Sequence, residues 1–156
     1  MNKYKSYSHS YGESYLHLQF TPKKRRKPFR NQEVMAACRY AFERIAASMR
    51  IALVAAEFGP DHCHIFLRDW KNWSIPQLAQ RFKGASSYAL RERFPWLKSA
   101  VNKYSFWTDG YFHETVGSVT AQARQFYIER CQKKHWEAVD FPEWITNQTQ
   151  LPHWAY

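Results

Sequence analysis

The sequence predicts an α+β fold, a ferredoxin-like split βαβ sandwich whose antiparallel sheet carries helices on its face. The predicted elements follow one another as strand, helix, two strands, helix, a strand region and a last helix, which is the order of that fold. The chain has 156 residues, 45% of them hydrophobic, which is enough for one domain with a substantial core. We divide this domain, residues 1–156, into an N-terminal arm over 1–13, a core over 14–138 that ends in the last predicted helix, and a C-terminal tail over 139–156.

The first half of the core contains three predicted strands and one helix. Residues 14–21 alternate apolar and polar side chains, which predicts a half-buried strand. Asn31 can cap a helix that runs through Ser48, because apolar residues recur there at three- and four-residue spacing. Residues 51–58 form the second strand, and the Gly-Pro-Asp turn over 59–61 leads into the third.

The second half of the core begins with a helix predicted over residues 74–93 and interrupted at Gly84. Two aromatic-rich runs, 104–107 and 111–116, flank an Asp-Gly turn, which predicts a hairpin with a bulge. A third helix is predicted over residues 119–137, and the tail beyond it shows no periodicity. The strand that follows the Gly-Pro-Asp turn would be central in the sheet.

That central strand carries two histidines, His62 and His64, separated by one residue. Successive side chains of a strand alternate between faces, so both imidazoles lie on one face. Neutral imidazole nitrogens are good ligands for divalent metals, and this spacing lets both reach one ion. The alternative is a polar row that faces solvent.

The charge of the chain indicates a polyanionic partner. The formal net charge is +10, and so large a cationic excess in a domain of this size points first to nucleic acid. A five-residue cationic run follows the first strand, with a charge density that suits phosphate contacts, although such a run can also be a solvated loop. The candidate DNA-binding residues are Lys23, Lys24, Arg25, Arg26, Lys27, Arg81 and Lys83.

Three cysteines, Cys38, Cys63 and Cys131, indicate neither a disulfide framework nor a zinc knuckle, because they are odd in number and lack CxxC spacing. The N-terminus lacks the apolar segment of a signal peptide, and no apolar run approaches the roughly eighteen residues of a membrane span. We therefore expect a cytoplasmic protein with no membrane contact.

Tyr127 on the third predicted helix is a candidate nucleophile. It lies in a polar and cationic setting and shares a helix face with Arg124 and Arg130. A phenol beside guanidinium groups can attack the phosphorus of a phosphodiester while a metal neutralises the developing charge. The alternative is a tyrosine that packs in the core.

The chain resembles the single-tyrosine HUH transposases of bacterial and archaeal insertion sequences that move as single-stranded DNA. The resemblance covers about residues 14–132, and the motifs occur in the family's order and near its spacing. The motifs are Phe20-Thr-Pro-Lys-Lys-Arg-Arg-Lys-Pro-Phe29, Pro60-Asp-His-Cys-His-Ile-Phe66, Phe82-Lys-Gly-Ala-Ser-Ser87, Phe106-Trp-Thr-Asp-Gly-Tyr-Phe112 with Thr115-Val-Gly117, and Tyr127-Ile-Glu129.

The resemblance implies that His62 and His64 ligate a divalent metal, Mg²⁺ or Mn²⁺, and that Tyr127 is the nucleophile. It implies cleavage and rejoining of single-stranded DNA at hairpins through a 5′-phosphotyrosine intermediate, with no nucleotide cofactor. It also implies an obligate homodimer, in which the tyrosine helix of one subunit can serve the histidine pair of the other.

One position departs from the family pattern. The family commonly has a Gln four residues after the tyrosine, where it completes the metal site, but this chain has Cys131 there and Gln132 one residue later. Thiolate prefers softer metals than magnesium. Either the helix presents Gln132 as the third ligand, or water fills the position, or this copy is impaired.

Three other functions stay open at this point. A host-adopted relative acting on dispersed genomic palindromes would share all of these motifs. A non-catalytic nucleic-acid-binding module would explain the charge and the aromatic strands but not the histidine pair. A metal-dependent hydrolase that activates water would explain the histidines but not the tyrosine.

Overall fold

The computed structural model of the chain describes the backbone of residues 5–7 and 10–12 and the backbone and side chains of residues 14–116. Short 3₁₀ turns lie at Lys23–Arg25 and Pro28–Arg30. The helices and strands, in order, are β1 (Lys5–Tyr7), β2 (Ser10–Gly12), β3 (Tyr15–Phe20), α1 (Gln32–Met49), β4 (Ala52–Gly59), β5 (His62–Arg68), α2 (Ile75–Arg93), α3 (Leu97–Ala100) and β6 (Phe112–Val116).

A four-stranded antiparallel sheet in the order β4-β5-β3-β6 lies at the centre of the fold. Helix α1 connects β3 to β4, and α2 lies between β5 and β6, which gives the split βαβ arrangement. The predicted fold class is confirmed. The histidine strand β5 lies between β4 and β3, so its predicted central position is confirmed as well.

The core lies between one face of this sheet and helices α1 and α2. Leu16, Leu18 and Phe20 of β3 face it, and apolar residues of α1 such as Cys38 and Phe42 belong to the same cluster. Both helix starts are fixed by caps. The side chain of Asn31 accepts hydrogen bonds from the first backbone N–H groups of α1, and Ser74 forms a capping box at the start of α2.

Two local predictions are wrong. Strand β3 is not half-buried, because all six of its residues are buried. Gly84 does not interrupt α2, which is continuous over Ile75–Arg93. On the face of β3 away from the helices, aromatic side chains of the adjacent strands cover His17, with Phe66 stacked on its ring and Phe112 edge-on to it. A single glycine costs a helix only about 1 kcal/mol.

The predicted hairpin between residues 104–107 and 111–116 does not form either. Strand β6 pairs with β3, and Trp107 makes only an isolated bridge with Pro22. Phe106 and Trp107 are both buried, although neighbouring residues of a half-buried strand would face opposite sides. The Trp107 indole donates a hydrogen bond to Ser86 Oγ (2.9 Å), so core packing decides the conformation of this segment.

The remaining predictions concern the N-terminal arm, the third helix and the C-terminal tail. Residues 5–7 and 10–12, predicted as a loosely held extended arm, form a two-stranded antiparallel sheet with Tyr7 opposite Ser10. The predicted third helix, the C-terminal tail, and residues Tyr127, Cys131 and Gln132 lie outside the described residues. In the described part of the chain, no helix combines the length and apolar character that crossing a membrane requires.

Candidate metal centre and DNA-contacting residues

His62 and His64 lie side by side on the sheet face opposite the helices. Their ring centroids are 5.2 Å apart and the ring planes are inclined by 82°. Only 3% and 1% of their surfaces are exposed, so the pair is not a polar row facing solvent. The intervening Cys63 points into the core, as strand alternation requires.

His62 is oriented by the preceding residue. Its Nδ1 lies 2.8 Å from Asp61 Oδ1, and the other carboxylate oxygen accepts a hydrogen bond from the Arg25 guanidinium (3.1 Å). Burial alone would raise the pKa of Asp61, but the hydrogen bond and charge of His62, together with Arg25, hold that pKa below its ordinary value. Asp61 therefore stays ionised and fixes the His62 ring.

His64 is oriented by His17 on the neighbouring strand β3. His17 Nε2 and His64 Nδ1 share a buried hydrogen bond of 2.7 Å, and the His17 ring stacks on Phe66 with centroids 4.6 Å apart. Burial lowers the pKa of His17 from 6.5 to about 4, so this imidazole is neutral near pH 7. Glu114 Oε2 lies 3.9 Å from His17 Nδ1, on the far side of the ring.

Both Nδ1 atoms of the pair are thus engaged by neighbouring side chains. A divalent cation held by both imidazoles would bind through the two Nε2 atoms, with Asp61 and His17 fixing the ring orientations. Among the described residues, His, Cys, Asp and Glu side chains form no group of three or more arranged to hold a metal. Among these four residue types, the described part of the chain therefore supplies two metal ligands, His62 and His64.

Gly59 makes room for the His62 ring. A Cβ atom at Gly59 would overlap that ring, with its Nε2 only 2.7 Å away. Any residue other than glycine would therefore displace the imidazole. The Gly-Pro-Asp turn thus shapes the histidine site as well as reversing the chain.

The cationic run Lys23 to Lys27 divides into two groups. Lys24, Arg26 and Lys27 are exposed, whereas Lys23 and Arg25 are half-buried. Lys23 and Arg25 contact carboxylates, Lys23 that of Asp109 (3.5 Å) and Arg25 that of Asp61. Lys24 and Arg25 adopt left-handed backbone conformations (φ 55° and 53°), which cost about 1 kcal/mol or more each in a non-glycine residue.

The two predicted contacts on α2 have internal partners. The Lys83 ammonium donates to the backbone carbonyls of Thr108, Asp109 and Gly110 at 2.6 to 3.1 Å. Burial, offset in part by the charge of Asp109, lowers the pKa of Lys83. The Arg81 guanidinium lies over the Trp73 ring, 5.7 Å from its centroid. DNA contacts by these two side chains stay predictions.

Comparison with known families decides the class of the protein. Residues 10–131 match the sequence profile of the family described as "Transposase IS200 like". The chain belongs to the IS200-like transposase family. The resemblance stated from the sequence motifs is thereby confirmed.

Two relatives of this IS200-like transposase illustrate the match. The chain is 29% identical over 126 residues to the transposase of insertion sequence element IS200 from Salmonella typhimurium, covering 81% of this chain and 82% of the relative. It is 32% identical over 85 residues to the ISDra2 transposase TnpA of Deinococcus radiodurans, covering 54% of this chain and 61% of that protein.

Solved structures share the fold. A crystal structure of a protein from Deinococcus radiodurans R1 that carries the name transposase superposes with a TM-score of 0.62 at 25% identity, covering 84% of this chain and 97% of that one. A REP-associated tyrosine transposase bound to a REP hairpin superposes with a TM-score of 0.53 at 15% identity, covering 91% of this chain and 81% of that one. The second likeness concerns the fold alone.

Sequence reasoning missed three residues of the histidine site in this transposase. They are His17, Gln19 and Asp61. The signal for His17 and Gln19 was present, because polar side chains at alternate positions of a strand share one face. That face was predicted to meet solvent, and only the order of strands in the sheet shows that it adjoins His64.

Proposed function

We propose that this IS200-like transposase cleaves and rejoins single-stranded DNA in a metal-dependent reaction, with Tyr127 as the nucleophile. The observation that carries the proposal is the buried pair His62 and His64, each with its Nδ1 engaged by a neighbouring side chain. A binding module has no need of two imidazoles held in fixed orientation. Enzymes need such pre-organisation at metal sites, where supporting hydrogen bonds set ligand orientation.

The proposed reaction exchanges one phosphate ester for another. The Tyr127 hydroxyl gives up its proton to solvent as its oxygen attacks a phosphodiester phosphorus, the bond to the 3′ oxygen breaks, and that oxygen takes a proton from solvent and leaves as a 3′-hydroxyl. The 5′-phosphate is then joined to the tyrosine, so a second 3′-hydroxyl can reverse the reaction without a nucleotide cofactor. His62 and His64 would hold Mg²⁺ or Mn²⁺, which when bound supplies positive charge beside the scissile phosphate.

A basic groove next to the cationic run is suited to the DNA strand. Arg26, Lys27 and Arg30 lie on its wall, no carboxylate among the described residues lines it, and its volume is about 270 Å³. Trp96 also lines the groove, and 47% of its surface is exposed, which gives a ring on which an unpaired base can stack. Phe29, which lies between two residues that line the groove, donates its backbone N–H to the Pro60 carbonyl (3.3 Å), so the groove adjoins the Gly-Pro-Asp turn that leads into His62.

The partner we propose is single-stranded DNA that carries hairpins, bound by a homodimer. Two considerations support the hairpin. The sequence resembles transposases that act at hairpins, and one protein of the same fold is a tyrosine transposase solved with a REP hairpin. The homodimer rests on the resemblance to the family, in which the tyrosine helix of one subunit can complete the site of the other.

Histidine variants test this proposal. His62→Ala and His64→Ala should abolish cleavage of hairpin-bearing single-stranded DNA in Mn²⁺ while hairpin binding persists, because the basic surface and not the histidine pair holds the strand. His113→Ala is the matched control, since His113 is an exposed histidine on β6. If a folded His64→Ala protein cleaves at the wild-type rate, the proposed function is wrong.

A further inference from the structure

We propose that the side-chain amide of Gln19 is the third protein ligand of the divalent metal held by His62 and His64. This inference rests on the metal dependence in the proposed function. It adds a residue that lies on β3, whereas Gln132, Cys131 and water were the candidates that the sequence suggested.

Gln19 lies directly beside the histidine pair. In the antiparallel pairing of β3 with β5, Gln19 is the residue opposite His64. Directly opposed side chains of neighbouring strands have Cβ atoms about 4.5–5.5 Å apart and share one face. His17, two residues earlier on β3, shows that this is the face of the site, since its ring is hydrogen-bonded to His64.

The Gln19 amide is buried without a partner. Only 1% of the residue is exposed, and within the described part of the chain neither Oε1 nor Nε2 of its side chain has a hydrogen-bond partner. An unsatisfied buried polar group costs about 1–3 kcal/mol, so native proteins rarely keep one without a function. Its neighbours His62, His64 and Asp61 all have polar contacts, which makes Gln19 the exception at this site.

Metal ligation explains why Gln19 lies beside the histidine pair and why its buried side-chain oxygen has no partner among the described residues. Amide carbonyl oxygen is a hard ligand of the kind that Mg²⁺ and Mn²⁺ accept. Two imidazoles on β5 and one amide on the adjacent strand would approach an ion from two neighbouring strands of a rigid sheet. The metal would then satisfy Oε1, so part of the cost of the unpaired amide in the metal-free protein would be recovered on binding.

The test measures Mn²⁺ affinity of the full-length protein, without DNA, by titration followed by electron paramagnetic resonance. Gln19→Met keeps the length of the side chain and removes its polar atoms, and it should weaken Mn²⁺ binding at least about tenfold. Gln19→Glu keeps an oxygen ligand and should bind Mn²⁺ at least as tightly as the wild type. Gln132→Met and Cys131→Ser test the two protein ligands that the sequence suggested, and both should bind Mn²⁺ like the wild type. Gln80→Met, at an exposed position of α2, is the matched control.

Thermal unfolding separates a ligand from a structural residue. Because Gln19→Met removes an unpaired buried amide, its metal-free Tm should equal or exceed that of the wild type, while the rise in Tm on adding Mn²⁺ should shrink. Wild-type Mn²⁺ affinity in a folded Gln19→Met protein would overturn the inference and leave the proposed function intact. If the wild type binds no Mn²⁺, both are wrong.

Discussion

His17 supports His64 through the tautomer of each ring. To bind a metal through Nε2, His64 must carry its proton on Nδ1 and donate it to His17 Nε2, so His17 must present an acceptor there. His17→Phe removes that acceptor and should weaken Mn²⁺ binding about 10- to 100-fold. His17→Gln keeps an acceptor oxygen near the same place and should lose much less. Equal affinities of the two variants in a Mn²⁺ titration would show that the hydrogen bond does not matter.

Gly59 provides a second test at the level of one residue. Gly59→Ala should push the His62 ring away, reduce Mn²⁺ binding and lower the free energy of unfolding by about 1–3 kcal/mol, because a methyl group is forced into a packed site. Gly84→Ala is the control. Its new methyl group would meet none of the described atoms within 4 Å, and in the middle of α2 it should raise the free energy of unfolding by about 0.5–1 kcal/mol. Urea unfolding that ranks the two variants the other way would contradict this account.

At the level of elements, Lys83 links α2 to the segment before β6. Its three hydrogen bonds to the carbonyls of residues 108–110 fix that segment against the helix. Lys83→Met should therefore lower the free energy of unfolding by about 1–3 kcal/mol. The salt dependence of DNA binding should stay that of the wild type. A changed salt slope with unchanged stability would make Lys83 a phosphate contact, as the sequence suggested.

Substitutions in the segment between β3 and α1 should change the salt dependence of DNA binding and leave stability unchanged, the reverse of Lys83→Met. Arg26 and Lys27 are exposed, so replacing them by Gln should leave stability nearly unchanged. The slope of log affinity for single-stranded DNA against log salt should flatten by about 0.7 for each phosphate group that the variant no longer neutralises. An unchanged slope would mean that this segment is only a solvated loop.

Elements with a local signal were predictable, and those that depend on the rest of the core were not. Strands β3 and β5 and helices α1 and α2 carry periodic apolar residues and caps at Asn31 and Ser74, so the sequence predicts their type and approximate bounds. The hairpin predicted between residues 104–107 and 111–116 does not form, for a different reason. Trp107 is held by Ser86, which is 21 residues away, and no local pattern indicates such a contact.

In the histidine site, too, residues with a local sequence signal were predictable and residues that depend on the topology of the whole molecule were not. The spacing of His62 and His64 on one strand is a local property and predicts the pair. The contributions of His17 and Gln19 depend on β3 lying next to β5, and this neighbourhood is set by the topology of the sheet. Arg25 likewise reaches Asp61 only because the chain after β3 returns toward the turn before β5.

Assembly of the whole molecule can be tested by mixing inactive subunits. If the tyrosine helix of one subunit serves the histidine pair of the other, Tyr127→Phe and His64→Ala subunits together form some heterodimers with one intact composite site. The mixture should recover part of the cleavage activity that neither variant has alone. No recovery, with subunit exchange verified by mass spectrometry, would place both groups of each site in one subunit.

The most direct test of the account is a search for a covalent link between Tyr127 and DNA. The full-length protein is incubated with hairpin-bearing single-stranded DNA and Mn²⁺, resolved on a denaturing gel, and the linked peptide is identified by mass spectrometry. We predict an adduct in which the 5′-phosphate is joined to Tyr127, and no adduct from Tyr127→Phe, which should still bind the hairpin. Cleavage without any adduct, or an adduct of normal yield from Tyr127→Phe, would contradict the account.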